Sequence, residues 1–247
     1  ASRMAENLER LIVREGPDTI AAMFAEPVMG AGGVIVPPAT YFAKIQPVLR
    51  RYDILLLADE VICGFGRTGN RWGCETFGIQ PDMLTCAKAL SSGYVPISAL
   101  LVSEPIWQAM VAESEKIGVF GHGYTYSGHP VAAEVALETL RIYEERDILG
   151  HVRQIAPVLQ GGLRALADHP LVGEARGVGL VGALELVQDK RTKASFAPAR
   201  GVGAYFARQA EAQGLIVRVI AGDIVAVSPP LIISAAEIQE LLARLSR

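Results

Sequence analysis

The sequence predicts an α/β protein: an open, mostly parallel sheet followed by a smaller α+β region. Three observations predict it. Residues 54–58 form an apolar run, Ile-Leu-Leu-Leu-Ala, that does not alternate, as expected of a parallel strand covered on both faces. Further apolar runs at 83–87 and 97–102 stand apart from it, separated by helical patterns or long loops. After Pro130 the character changes, to long helical patterns and short strands bounded by glycine.

Taken in order, residues 5–15 read as a helix with Leu8, Leu11 and Ile12 on one face, ended by Gly16-Pro17. Residues 20–28 read as a buried strand closing in Glu26-Pro27. A glycine-rich loop follows (Gly30, Gly32, Gly33), then a helix over 41–52. Long helices are expected at 131–145 and 152–168, the second with Val152, Ile155, Leu159, Leu163 and Leu166 in phase. Short strands are expected at 180–187, 215–219 and 224–227. The last helix opens with Ser234-Ala235-Ala236-Glu237, a capping box in which Ser and Glu satisfy the first free N–H groups reciprocally.

Composition narrows the function. The 247 residues suffice for one large domain or two modest ones, and 51% hydrophobic with 20% charged residues is ordinary for a soluble globular protein. A net charge of -3 builds no basic field for nucleic acid or an anionic membrane. Cys63, Cys74 and Cys86 have no CxxC spacing and suit buried thiols in a reducing cytosol. No apolar run approaches ~18 residues, so no membrane span is expected. The first residues, Ala1-Ser2-Arg3-Met4, lack a signal-peptide layout. A cytoplasmic enzyme or binding protein is the expectation.

The strand at 54–58 delivers Asp59-Glu60-Val61 to its carboxyl end, where open α/β sheets place ligands. A carboxylate there is a cap or a functional group. Lys88 leaves the next strand among apolar neighbours and is followed by the small-residue loop Ala89-Leu90-Ser91-Ser92-Gly93, which leaves room beside its amine. A desolvated lysine has the lowered pKa that carbonyl addition needs. The run Gly64-Phe65-Gly66-Arg67-Thr68-Gly69 matches GxGxxG and raises a dinucleotide site as a rival. However, no helix opens directly after it, and the next acidic residue of the right kind, Asp82, comes too early. The loop from Gly121 to Pro130 presents hydroxyls and backbone N–H groups suited to phosphate. Its His122 and His129 lack a third ligand at metal spacing. Arg218 suits either an ordinary ion pair or bidentate carboxylate recognition.

Five strings run in one order along the chain: Ala25-Glu26-Pro27-Val28; Ala58-Asp59-Glu60-Val61 with its glycine loop; Ala87-Lys88-Ala89-Leu90-Ser91-Ser92-Gly93; His122 through Pro130; and Ser228-Pro229-Pro230-Leu231. Together they resemble the class III, or ω-, aminotransferases of fold type I, and most closely the branch that uses pyruvate with ω-amines and ω-amino acids. The resemblance implies part of a large pyridoxal 5'-phosphate-binding domain over 1–140 and a small C-terminal domain over 141–247. It implies that Lys88 carries the cofactor as a Schiff base and shuttles a proton, while Asp59 keeps the pyridine nitrogen protonated. Val61 packs on the ring with Ile62 beside it, and Thr125 with the backbone at Tyr124 binds the phosphate. That loop crosses a dimer interface in the family, so a homodimer with a shared active site is implied. Arg218 takes the substrate carboxylate. Glu26 belongs to the same site and pairs with Arg218 when the substrate is an uncharged amine. The implied activity is a ping-pong transamination from an amine or amino acid to a keto acid. An aminomutase of the same family and a non-catalytic fragment are the alternatives. Family members are considerably longer, so the chain is expected to be the C-terminal part of a longer polypeptide.

Overall fold

The computed structural model describes residues 1–247, arranged as two compact units. The first comprises Ala1–Pro27, Pro37–Phe65 and Gly73–Arg146; the second comprises Val28–Val36, Gly66–Trp72 and Asp147–Arg247. The sequence reading put a single divide after residue 140. In the structure a helix crosses that position, and two earlier segments join the second unit.

The first unit opens with α1 (Ser2–Glu15), which ends where Gly16 takes φ 90° and returns its N–H to the Ile12 carbonyl. Strand β1 (Ala22–Ala25) is shorter than the apolar run around it. Pro27 has no N–H to extend a ladder. Helix α2 (Tyr41–Arg51) buries Phe42, Ile45 and Leu49 at helical spacing. Its one buried polar side chain, Gln46, donates to the carbonyls of Phe42 (3.0 Å) and Gly78 (3.1 Å). Strand β2 (Leu55–Asp59) follows, then the short helix α3 (Gly73–Phe77), β3 (Met83–Cys86), β4 (Ala99–Val102), α4 (Glu104–Ile117) and α5 (Pro130–Glu145).

The sheet order is β1-β2-β3-β4, with β1, β2 and β3 parallel and β4 antiparallel to β3. Only β2 is covered as its sequence predicts, with Leu56, Leu57 and Ala58 buried. The expected burial of β1 is overturned: Ala22, Met23 and Ala25 are half-buried and Phe24 is 69% exposed. The other outer strand, β4, likewise leaves Leu100 and Leu101 exposed.

The second unit is built on α6 (Ile148–Leu166), whose buried stripe is Ile148, Val152, Ile155, Leu159 and Leu163. Its sheet is antiparallel throughout, in the order β5-β6-β8-β7, from β5 (Val172–Val178), β6 (Val181–Leu186), β7 (Arg218–Ile220) and β8 (Ile224–Val227). Helix α7 (Val202–Ala212) precedes β7, and α8 (Ala235–Leu245) closes the chain under its Ser234–Glu237 capping box. The strand expected at 215–219 starts only at Arg218. Gly214, at φ 75°, completes the turn out of α7, and Ile216 lies in the open.

Helix α6 contains adjacent glycines in opposite surroundings. A methyl at Gly161 meets nothing within 4 Å, whereas one at Gly162 runs into the Leu242 side chain of α8. Helical glycine costs about 1 kcal/mol relative to alanine, and overpacking costs about 1–3 kcal/mol. Gly161→Ala is therefore expected to raise the thermal unfolding temperature and Gly162→Ala to lower it.

Candidate active site

Parallel pairing sets the site. Asp59 is in register with Thr85, so the residues after β2 and after β3 emerge at the same end of the sheet. The opposite end is closed by Asp82. Its Oδ2 accepts from the Leu56 N–H (2.7 Å) while its own N–H donates to the Leu56 carbonyl (2.8 Å). This acidic residue, out of place for a nucleotide motif, is a bracket for the ladder.

At the carboxyl end, Asp59 is half-buried and its Oδ1 accepts the Val61 N–H at 3.0 Å. One carboxylate oxygen is thus occupied in shaping the turn that presents Val61 and Ile62, both half-buried. Three residues past Thr85, Lys88 opens a single 3-10 turn, Lys88–Ser91. Its backbone sits in the left-handed region at φ 43°, followed by Ser92 at φ 49°. Non-glycine residues there cost about 1–3 kcal/mol and persist where surrounding structure over-determines them.

Two side chains do so. The Ser91 hydroxyl donates to the Val95 carbonyl (2.7 Å), and the Tyr143 hydroxyl of α5 donates to the Ala89 carbonyl (2.8 Å). Tyr143 also lies 3.2 Å from the Ser92 hydroxyl, and its ring packs on Phe65 with centroids 6.4 Å apart. The sequence reading expected a desolvated lysine. In this structure Lys88 is exposed.

The deeply buried acid of this region is the neighbour of Asp59. Glu60 has 0% exposure, and its carboxylate accepts the N–H groups of Gly73 (2.8 Å) and Cys74 (2.6 Å). Burial pushes its carboxyl above the ordinary range, against the opposing pull of the Cys74 thiol and the two N–H donors. The Cys74 thiol is in turn pushed up strongly, by burial first and by Glu60 second.

The remaining candidates fall elsewhere. Glu26 is half-buried just past β1. Tyr124 and Thr125 sit in the loop 118–129, where every residue is exposed and the Ser127 hydroxyl accepts the Tyr124 N–H (2.9 Å). Arg218 belongs to the second unit, exposed at the start of the outer strand β7. The GxGxxG run is divided, Phe65 lying in the first unit and Gly66 in the second. There Arg67 donates to the carbonyls of Leu180 (3.0 Å) and Pro229 (2.6 Å). No group of three His, Cys, Asp or Glu side chains is placed to hold a metal.

A family model described as "Aminotransferase class-III" matches residues 1–247. The chain belongs to this family. It is 55% identical over 244 residues to gamma aminobutyrate transaminase 3, chloroplastic, of Solanum lycopersicum, covering 99% of this chain and 47% of that protein. A probable gamma-aminobutyrate transaminase 3, mitochondrial, of Oryza sativa subsp. japonica is 53% identical over 244 residues, covering 99% and 48%. The chain spans about half the length of the curated relatives it matches. Among solved structures, one described as "Transaminase with L-ala" is 53% identical at a TM-score of 0.96, covering 99% of this chain and 57% of that one. The omega transaminase from Pseudomonas jessenii in complex with PMP is 51% identical at a TM-score of 0.96, covering 99% and 54%. The mostly parallel first sheet of this aminotransferase chain is thus the fold of transaminases.

Sequence reasoning singled out Lys88 and Asp59 and missed Glu60 and Tyr143. Glu60 was missed because the N–H groups it accepts, at the start of α3, lie 13 and 14 positions further along the chain. Tyr143 carried no signal, because its partner is a backbone carbonyl 54 residues away. Tyr143→Phe removes the donor to Ala89 and is expected to cost about 1 kcal/mol in urea unfolding. For Glu60 the folded carboxyl lies above its unfolded value of 4.5. Stability from this group is therefore present below that pH and lost as pH rises through the folded value. Glu60→Gln is expected to remove this part of the slope, read by comparing urea unfolding of the two proteins between about pH 4 and pH 7.

Proposed function

We propose that the chain carries the Schiff-base lysine end of a transaminase active site and that it binds pyridoxal 5'-phosphate. The observation that carries this reading is the placement of a carboxylate and an amine at one end of a sheet, Asp59 as the last residue of β2 and Lys88 just beyond the adjacent parallel β3. The donor set fits the group. A primary amine can bond the cofactor's carbonyl, and an acid can hold a proton on a pyridine nitrogen. When bound, pyridoxal phosphate supplies a conjugated sink for the electrons released as a Cα–H bond breaks.

The chain's own residues divide the rest of the work. Lys88 would hold the carbonyl end and, once its amine is free, would carry the proton between substrate Cα and the cofactor's C4′ carbon. Asp59 keeps the ring nitrogen protonated, with its orientation set by the Val61 N–H. Val61 packs on the ring face with Ile62 beside it. Thr125 and the backbone at Tyr124 hold the phosphate. Arg218 recognises a substrate carboxylate, and Glu26 takes part in substrate binding.

The substrates in this reading are an amine or ω-amino acid donor and a keto acid acceptor such as pyruvate. The gamma aminobutyrate transaminase names of the relatives support that class. A homodimer sharing its active site belongs to the same reading, and the exposed loop bearing Tyr124 and Thr125 supports it. No helix is long and apolar enough to cross a membrane. The three buried cysteines, none of them in a disulfide, support a reducing compartment such as the cytosol.

Borohydride treatment of the cofactor-loaded protein is expected to leave the cofactor's mass on the peptide containing Lys88, and none in Lys88→Ala. The same variant is expected to lose at least about 100-fold in amino transfer to pyruvate, the scale of a missing general acid–base group. Labelling at another lysine would remove the assignment.

A further inference from the structure

Glu60 is a buried acid for which the chemistry above has no use. It lies between Asp59 and Val61, and every polar group it has is engaged. Its N–H donates to the Thr85 carbonyl on β3 (2.9 Å), and its carbonyl accepts from the Gly64 N–H (2.8 Å). Its carboxylate accepts from Gly73 and Cys74. Those two donors lie 13 and 14 positions along the chain, where it re-enters the first unit after its excursion. The approach is tight by construction. A side-chain carbon at Gly73 would stand 2.7 Å from the Pro27 Cβ and 2.9 Å from the Cys63 Cβ, so only glycine brings that N–H to this depth.

A fully buried carboxylate is a costly way to join two stretches of backbone. A fixed pair of directions is what it adds, since both oxygens are held and the residue's own backbone is held to β3. We propose that Glu60 is a positioning residue: its grip on the Gly73 and Cys74 N–H groups fixes the turn from Asp59 to Ile62, so that the Asp59 carboxylate meets the cofactor's ring nitrogen at one place. This rests on the pyridoxal phosphate reading above. Glu60 itself touches neither cofactor nor substrate in this scheme.

The test uses apo-protein titrated with pyridoxal phosphate. Three quantities are read: the dissociation constant, the pH midpoint of the bound cofactor's visible absorbance band, and the apo unfolding temperature. Glu60→Gln keeps the shape but leaves an NH2 group facing one N–H donor. It is expected to weaken binding on the order of tenfold, the effect of about one lost hydrogen bond, and to displace the absorbance midpoint. Leu49→Ala is the control. Leu49 is a buried core residue whose carbonyl accepts from Ile54, at the other end of β2 from Asp59. It is expected to lower the unfolding temperature while leaving the dissociation constant and the midpoint unchanged.

The proposal is overturned if Glu60→Gln binds and titrates like wild type, or if Leu49→Ala shifts both quantities equally. Wild-type protein with no visible band at all would instead overturn the pyridoxal phosphate reading, and this inference with it. A measurement on wild type alone decides the matter if the variant does not fold. Coupling is reciprocal, so cofactor binding is expected to slow hydrogen exchange at the Gly73 and Cys74 amides severalfold, and unchanged exchange sinks the idea.

Discussion

Two neighbouring strands that run in one direction must release their next residues at the same end of the sheet, and the first unit depends on this constraint. The pairing of Asp59 with Thr85 places a carboxylate at the tip of β2 and starts the path to Lys88 at the tip of β3. An antiparallel pair would have sent these two groups to opposite ends. Asp82 secures the arrangement from below by closing the ladder at Leu56. The apolar residues of β2 supply the burial that makes the register costly to shift, because a slip of one position exchanges the faces of Leu56, Leu57 and Ala58.

Presenting these side chains at strand tips requires local conformations that the chain does not favour by itself. Lys88 adopts a left-handed backbone conformation and Glu60 keeps a carboxylate out of water. Each is supported from elsewhere in the first unit: Lys88 by Tyr143 and Ser91, Glu60 by the start of α3. The apolar core sets the strands, and a few hydrogen bonds of long sequence separation set the side chains at their ends.

How much of this was legible follows from which forces were local. The non-alternating run of β2, the phased leucines of α6 and the capping box of α8 were readable because each signal sits within a few residues. Strand β5 was missed because Gly173, Glu174, Arg176 and Gly177 hide its alternation, its arginine pairing with Glu185 across to β6. Helix α4 was missed although Ile106, Trp107, Met110 and Val111 lie at helical spacing behind Pro105. Among the candidate site residues, the motif order singled out Asp59 and Lys88. It could not reveal that the acid held in the interior is Glu60, since that depends on where Gly73 returns.

The two outer strands of the first sheet have a practical consequence for handling this polypeptide. Each leaves one row of amide and carbonyl groups without a ladder partner, and Phe24 on one side and Leu100 and Leu101 on the other project into water. Such margins recruit further strands, from another molecule if nothing nearer covers them. Changing Phe24 to a charged residue would blunt the greasy part of that attraction and leave the backbone part intact. Purification of the chain by itself therefore calls for dilute conditions, where encounters between exposed sheet margins are infrequent.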